Sequence, residues 1–195
     1  MRRLVAGVLC LMVAGLSPAG DLMADAAHGH DHHHSHDRTA RVVSPLQRAR
    51  HLQRHHEFER AAELLAEVIE NEPFNREAQL LYADVLLHDA RIDEARAACV
   101  RVALAGAHVL AGYCSVQVLT ASGEHDRAFA AATSLEFNQL SEEAQIWALE
   151  ISAVAAWKAG QLQTADQWFR KAAAYPNVPH STEHAYNEFR ASLVY

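Results

Sequence analysis

From residue 44 onward, apolar positions recur with a helical rather than a strand period. Alanine, leucine, glutamate and arginine dominate, and glycine and proline fall mainly at breaks. The pattern also repeats along the chain. Four stretches share it: HEFERAAELLAEVIENEP (56–73), ARIDEARAACVRVALAGA (90–107), GEHDRAFAAATSLEFNQL (123–140) and GQLQTADQWFRKAAAYPN (160–177). Each opens on a short break and, five residues later, reaches an alanine that begins an apolar helix. These alanines are Ala61, Ala95, Ala128 and Ala165, spaced by 34, 33 and 37 residues. Twelve residues before them stand Ala49, Ala83, Val116 and Ala153. A helix, a break and a second helix in each period predict hairpins whose apolar faces cannot be buried alone, so that neighbours must stack.

This organisation resembles the tetratricopeptide repeat family over residues 44–176. The family's alanine-x3-aromatic element is present as Ala165-x3-Phe169 and in weaker form as Ala61-x3-Leu65, Ala95-x3-Cys99 and Ala128-x3-Ala132. Its closing proline is Pro73, while Pro176 comes one residue early. Val116 departs from the small residue that the family places where two helices approach closely. The first-helix tryptophan, leucine and tyrosine are mostly absent, although Tyr82 and Leu86 fall nearby. The resemblance implies an all-α fold, a right-handed α-solenoid of about four helix-turn-helix repeats closed by a capping helix over 177–195. HSTEHAYNEFRASLVY (180–195) opens with a Ser181-Thr182-Glu183 start signal and carries Tyr186, Phe189 and Leu193 at helical spacing. The alternative is a generic bundle of eight or nine helices, in which the alanine-opened segments would be scattered around a closed globule.

The resemblance also implies a concave groove lined by the first helix of each pair, where a protein or peptide partner docks. In this sequence the inward rows are Leu46, Arg50 and Arg54, then Leu80, Asp84 and Leu87. Tyr113, Gln117 and Thr120 follow, and then Trp147, Glu150, Val154 and Trp157. Such a groove is cationic at one end and aromatic at the other. Arg50 and Arg54, four residues apart, can grip a carboxylate from one helical face, or simply be solvated there. Trp147 and Trp157 do not share one line along a helix, so one of them suits core packing. The lysine and asparagine clamp with which some family members bind acidic chaperone tails is not reproduced, so that role is not implied.

The start of the chain changes the picture of where this array works. Arg2 and Arg3 precede an apolar run over residues 4–16, followed by small residues in A-x-A spacing, the pattern of a secretory signal. Cleavage after Ala26 is expected, with Ala19 as the alternative; Cys10 stands too early for a lipoprotein anchor. No later segment is long and apolar enough for stable membrane insertion. Acid exceeds base, 24 residues to 17, and no dense basic run appears, which argues against a nucleic-acid partner. The basic residues are nearly all arginine, with lysine only at 158 and 171, a skew of GC-rich bacterial coding that makes the periplasm the expected compartment. There Cys99 and Cys114 either form a disulfide or serve as small buried hydrophobes.

Between the signal and the first repeat, in residues 27–43, lies HGHDHHHSHD (28–37). Its histidines are His28, His30, His32, His33, His34 and His36, interrupted by glycine, aspartate and serine, unlike a purification tag. With no apolar residue it cannot build a core, and disorder is expected. Alternating imidazoles can share one Zn(II), Cu(II) or Ni(II) ion loosely and exchangeably, and should release it below about pH 6 as protons compete. A plain hydrophilic spacer is the alternative. Two further pairs, His51 with His55 and His180 with His184, have the i, i+4 spacing that can chelate a metal, and neither is an HExxH motif. No phosphate loop, nucleophile elbow or nucleophile and base constellation is present, so no enzyme is expected. The function these features point to is a periplasmic interaction scaffold with a metal-collecting arm, in metal homeostasis or metalloprotein assembly. A metal-free envelope or secretion scaffold and a metal buffer are the competing readings.

Overall fold

The computed structural model describes residues 43–194. The expected export signal and the candidate metal ligands His28, His30, His32, His33, His34 and His36 lie outside the described residues. Among those described, the chain forms helices and no strand: α1 (Pro45–Arg54), α2 (Phe58–Asn71), α3 (Arg76–His88), α4 (Ile92–Leu104), α5 (His108–Ala121), α6 (His125–Ser134), α7 (Glu142–Lys158), α8 (Leu162–Ala173) and α9 (His180–Ser192).

Local chemistry sets the starts and stops. Ser44 caps α1 in a reciprocal capping box with Gln47, ahead of Pro45 in the first turn. Asn75 and Ser141 cap α3 and α7 through side-chain oxygens that accept from Ala78 and Ala144. The breaks that open each repeat signature share one geometry. His56, Ala90, Gly123 and Gly160 all take left-handed backbone, with φ of 60°, 57°, 78° and 74°. At each, the next amide bonds back five residues: Glu57 to Leu52, Arg91 to Leu86, Glu124 to Leu119 and Gln161 to Ala156. This is the Schellman closure, which satisfies the last carbonyls of the first helix while reversing the chain into the second.

Every helix packs on its successor, and α1, α3, α5, α7 and α9 also pack on one another in turn. Among the described residues no helix packs on one beyond the next but one, so the hairpins succeed one another side by side as a solenoid and not as a closed globule. The repeating alanines explain the closeness. Ala61, Ala95, Ala128 and Ala165, together with Ala49, Ala83, Val116 and Ala153, are all at 0% exposure. Val116 therefore fills the same buried position as its alanine counterparts despite its larger side chain.

The 37-residue spacing has a local cause. α6 stops at Ser134, and an irregular segment leads to the Ser141 cap of α7. In it, Leu135 lies over Gly112, where an added Cβ would come within 2.6 Å of the leucine methyl. The glycine is what lets this segment close onto α5.

One expectation at the C-terminal end needs adjusting. α9 starts at His180, one residue before the expected Ser181 signal, and Pro179 occupies the N-cap without a side-chain bond. The proline's fixed extended geometry supplies the start, which leaves the Thr182 hydroxyl free for a different contact. The two cysteines left open by the sequence are joined, Cys99 on α4 to Cys114 on α5, across a sequence separation of 15. The core changes character along the array. Around α1–α4 it is alanine and leucine, whereas α7–α9 enclose Phe169 and Phe189, with Tyr186 stacked on Phe169 and Trp157 edge-on to Phe189.

Candidate functional site

The first helices of the hairpins carry one polar side chain each into a shared row. These are Gln53 on α1, Asp84 on α3, Gln117 on α5, Glu150 on α7 and Thr182 on α9, all of them buried. An isolated polar group in that setting would cost free energy, so the row is held by bonds between successive helices. The Gln53 amide donates to the Asp84 carboxylate. Gln117 hydrogen-bonds to the same carboxylate from the other side. At the far end the Thr182 hydroxyl donates to Glu150. One turn beyond Asp84, His88 places Nε2 at 3.8 Å from its Oδ2 and stacks on Phe58 at 4.9 Å.

Burial dominates the electrostatics of the row. Desolvation pushes Asp84 up to about 6, against the charge of His88 and the hydrogen bonds from Gln53 and Gln117, which pull the other way. Glu150 is pushed up to about 7, first by desolvation and also by the nearby Asp84 charge, with only the Thr182 hydrogen bond opposing. The two carboxylates thus stand across Gln117 from each other in one proton-binding system. At neutral pH part of their population is neutral and can donate as well as accept.

Of the residues expected to line a groove, Asp84, Gln117 and Glu150 are brought together, but as an enclosed row and not as an open wall. Tyr113 is likewise buried, at 1% exposure, with its ring edge-on to Trp147 and its hydroxyl donating at 3.5 Å to the Leu135 carbonyl. The reason is that the first helices pack directly on one another, and the long side chains beside the row cover it. Leu80, Leu87, Trp147 and Trp157 are half-buried, each packed against a core cluster on one side. Trp157 also meets Phe189 at 5.8 Å and carries Lys158 over its ring. Arg54 is exposed, whereas Arg50 is partly covered and paired with Glu77 on α3. The expected arginine fork therefore already has one arm engaged within the protein.

Sequence reasoning passed over Gln53, His88 and Thr182. Their signal was positional: the row members lie four residues after Ala49, one after Ala83, one after Val116 and three before Ala153, offsets that share one helical face without sharing one repeat position.

Among the described residues no group of three or more histidine, cysteine or acidic side chains is placed to hold a metal ion. Nor, among them, is any helix long and apolar enough to cross a membrane. No curated protein and no solved structure matches the chain. A tetratricopeptide repeat family model does match residues 52–112, from the end of α1 to the first half of α5. Over that stretch the chain is similar to tetratricopeptide repeats, and paired helices stack in succession on both sides of it.

Proposed function

We propose that this protein is an exported, periplasmic interaction scaffold whose histidine-rich arm collects a divalent transition metal beside a docked protein partner. Tetratricopeptide repeat domains bind protein partners and are generally non-enzymatic scaffolds. The observation that carries the scaffold reading is the uninterrupted succession of α1, α3, α5, α7 and α9 as one inner wall. On that wall the accessible side chains fall to either side of the enclosed polar row: Arg54 and part of Arg50 at one end, the half-buried faces of Trp147 and Trp157 at the other. A partner segment presenting a carboxylate and apolar side chains suits that arrangement.

Support for export comes from the sequence of residues 1–26 and accords with a Cys99–Cys114 disulfide, which an oxidising compartment sustains. Support for the metal role comes from the imidazole density of residues 28–36. The competing readings, a scaffold with a mere spacer and a metal buffer with no partner, differ in what each part does. Calorimetric titration of Zn(II), Cu(II) and Ni(II) into the protein with and without its six arm histidines decides the arm. Equal heats and stoichiometries for both would remove metal from the function. Copurification of a defined partner, lost on Arg54→Ala together with Trp157→Ala, decides the wall.

A further inference from the structure

The two histidine pairs with chelating spacing have different fates in the fold. His180 turns Nδ1 toward Glu183 at 3.5 Å, and His184 turns Nε2 toward Glu188 at 3.3 Å, so each ring faces its own carboxylate and not the other ring. His51 and His55 instead face each other. Their ring centroids are 4.4 Å apart and tilted by 57°, both residues are exposed, and among the described residues neither is paired with a carboxylate. The neighbouring His56 leaves the pair by its left-handed backbone and sets its ring edge-on to Phe58 at 5.6 Å.

We propose that His51 and His55 form a second transition-metal site, fixed on the folded array and separate from the histidine arm. Two imidazoles on successive turns of one helix can offer nitrogens to one ion, and borderline cations such as Ni(II), Cu(II) and Zn(II) prefer that ligand. The place on the helix favours a cation as well. His51 lies in the last turn of α1 and His55 is its C-cap, where the helix dipole presents its negative end. Water fills the other coordination positions. The helix stays formed through its capping box and its packing, so the two rings are held near each other before metal arrives, which lowers the entropy cost of binding.

The site has a signature the arm cannot produce. A ligand stabilises a protein only when it binds the folded state better than the unfolded one. A segment that its sequence predicts to be disordered binds metal alike in both states, whereas the His51–His55 chelate exists only while α1 is helical. Ni(II) is therefore expected to raise the melting temperature. At about ten times its dissociation constant the rise should be roughly 3 to 6 °C for a chain of this size.

The test is differential scanning calorimetry of the purified protein with and without Ni(II). Four variants accompany it: His51→Ala, His55→Ala, His184→Ala, and one in which all six arm histidines are serine. The rise should persist in the arm variant and in His184→Ala and vanish in His51→Ala and His55→Ala. These two are exposed positions whose replacement leaves the metal-free melting temperature little changed. A rise that survives loss of either His51 or His55, or one that disappears with the arm histidines, would overturn the proposal. Failure of the arm to bind metal would show separately, as unchanged titration heats in the arm variant.

Discussion

The two carboxylates of the inner row are buried alike and supported differently. Asp84 receives hydrogen bonds from Gln53 on one neighbouring helix and Gln117 on the next, with His88 beside it, in a seam of alanine and leucine that the Cys99–Cys114 bridge ties together. Glu150 has one hydroxyl, supplied by the terminal helix, and lies on α7, whose following turns pack into the aromatic cluster of α8 and α9. Both are pushed up by desolvation, but the partners of Asp84 recover part of the cost of ionisation, and the single partner of Glu150 recovers less. In a repeat array each helix leans on its neighbours, so an interior rung can collect support from two sides and a rung near the end from fewer.

The largest effect should come from removing what holds the weaker end. Phe189, at 0% exposure, ties α9 to Phe169 on α8 and Trp157 on α7. Phe189→Ala should cost about 3–5 kcal/mol in urea unfolding. Because α9 carries Thr182, amide exchange in α7 and α9 should accelerate while α3 remains protected. Uniform acceleration along the array would mean that the two ends do not differ in support.

In the interior of the array, replacing Cys99 and Cys114 together by alanine should cost about 2–4 kcal/mol by the same measurement, since the bridge closes a loop in the unfolded chain.

The carboxylates themselves sharpen the contrast. A group whose folded pKa lies above its unfolded value binds more protons in the native state, so its contribution is full below the unfolded pKa and is lost as pH rises through the folded one. For Asp84 the window runs from 3.8 to about 6 and for Glu150 from 4.5 to about 7. Glu150→Gln should therefore stabilise the protein by roughly 2–3 kcal/mol at pH 8 and change little at pH 4. Asp84→Asn should gain less at pH 8, because ionised Asp84 already has Gln53, Gln117 and His88. Equal gains from both variants would erase the distinction drawn between the two rungs. The smallest effect tests the turns: Ala90 holds φ at 57°, where glycine is unstrained, so Ala90→Gly should raise stability by about 1 kcal/mol.

Much of the array was legible because its cause is periodic. A buried alanine at each hairpin contact recurs with the repeat, and Ala61, Ala95, Ala128 and Ala165 mark it directly. The longer third spacing was visible as a number, but its cause, Leu135 closing over Gly112, is a tertiary contact that no period announces. The start of α9 was displaced because a proline can begin a helix by geometry alone, without the side-chain cap expected of Ser181. The inner row was half legible. Asp84, Gln117 and Glu150 fell on the inward face as expected, but their burial depends on how tightly the first helices approach. Gln53 and Thr182 slide relative to the repeat, since they follow the line of contact between helices and not a fixed repeat position.

The central claim is that stacked first helices shut these carboxylates away from water. Carbon-detected NMR titration of the Asp84 and Glu150 side chains measures it most directly, with Asp84→Asn and Glu150→Gln spectra to assign the signals. Midpoints near 6 for Asp84 and near 7 for Glu150 are predicted. Midpoints at the ordinary carboxylate values of about 4 for both would mean that water reaches the row, and would contradict the packing described for the inner wall.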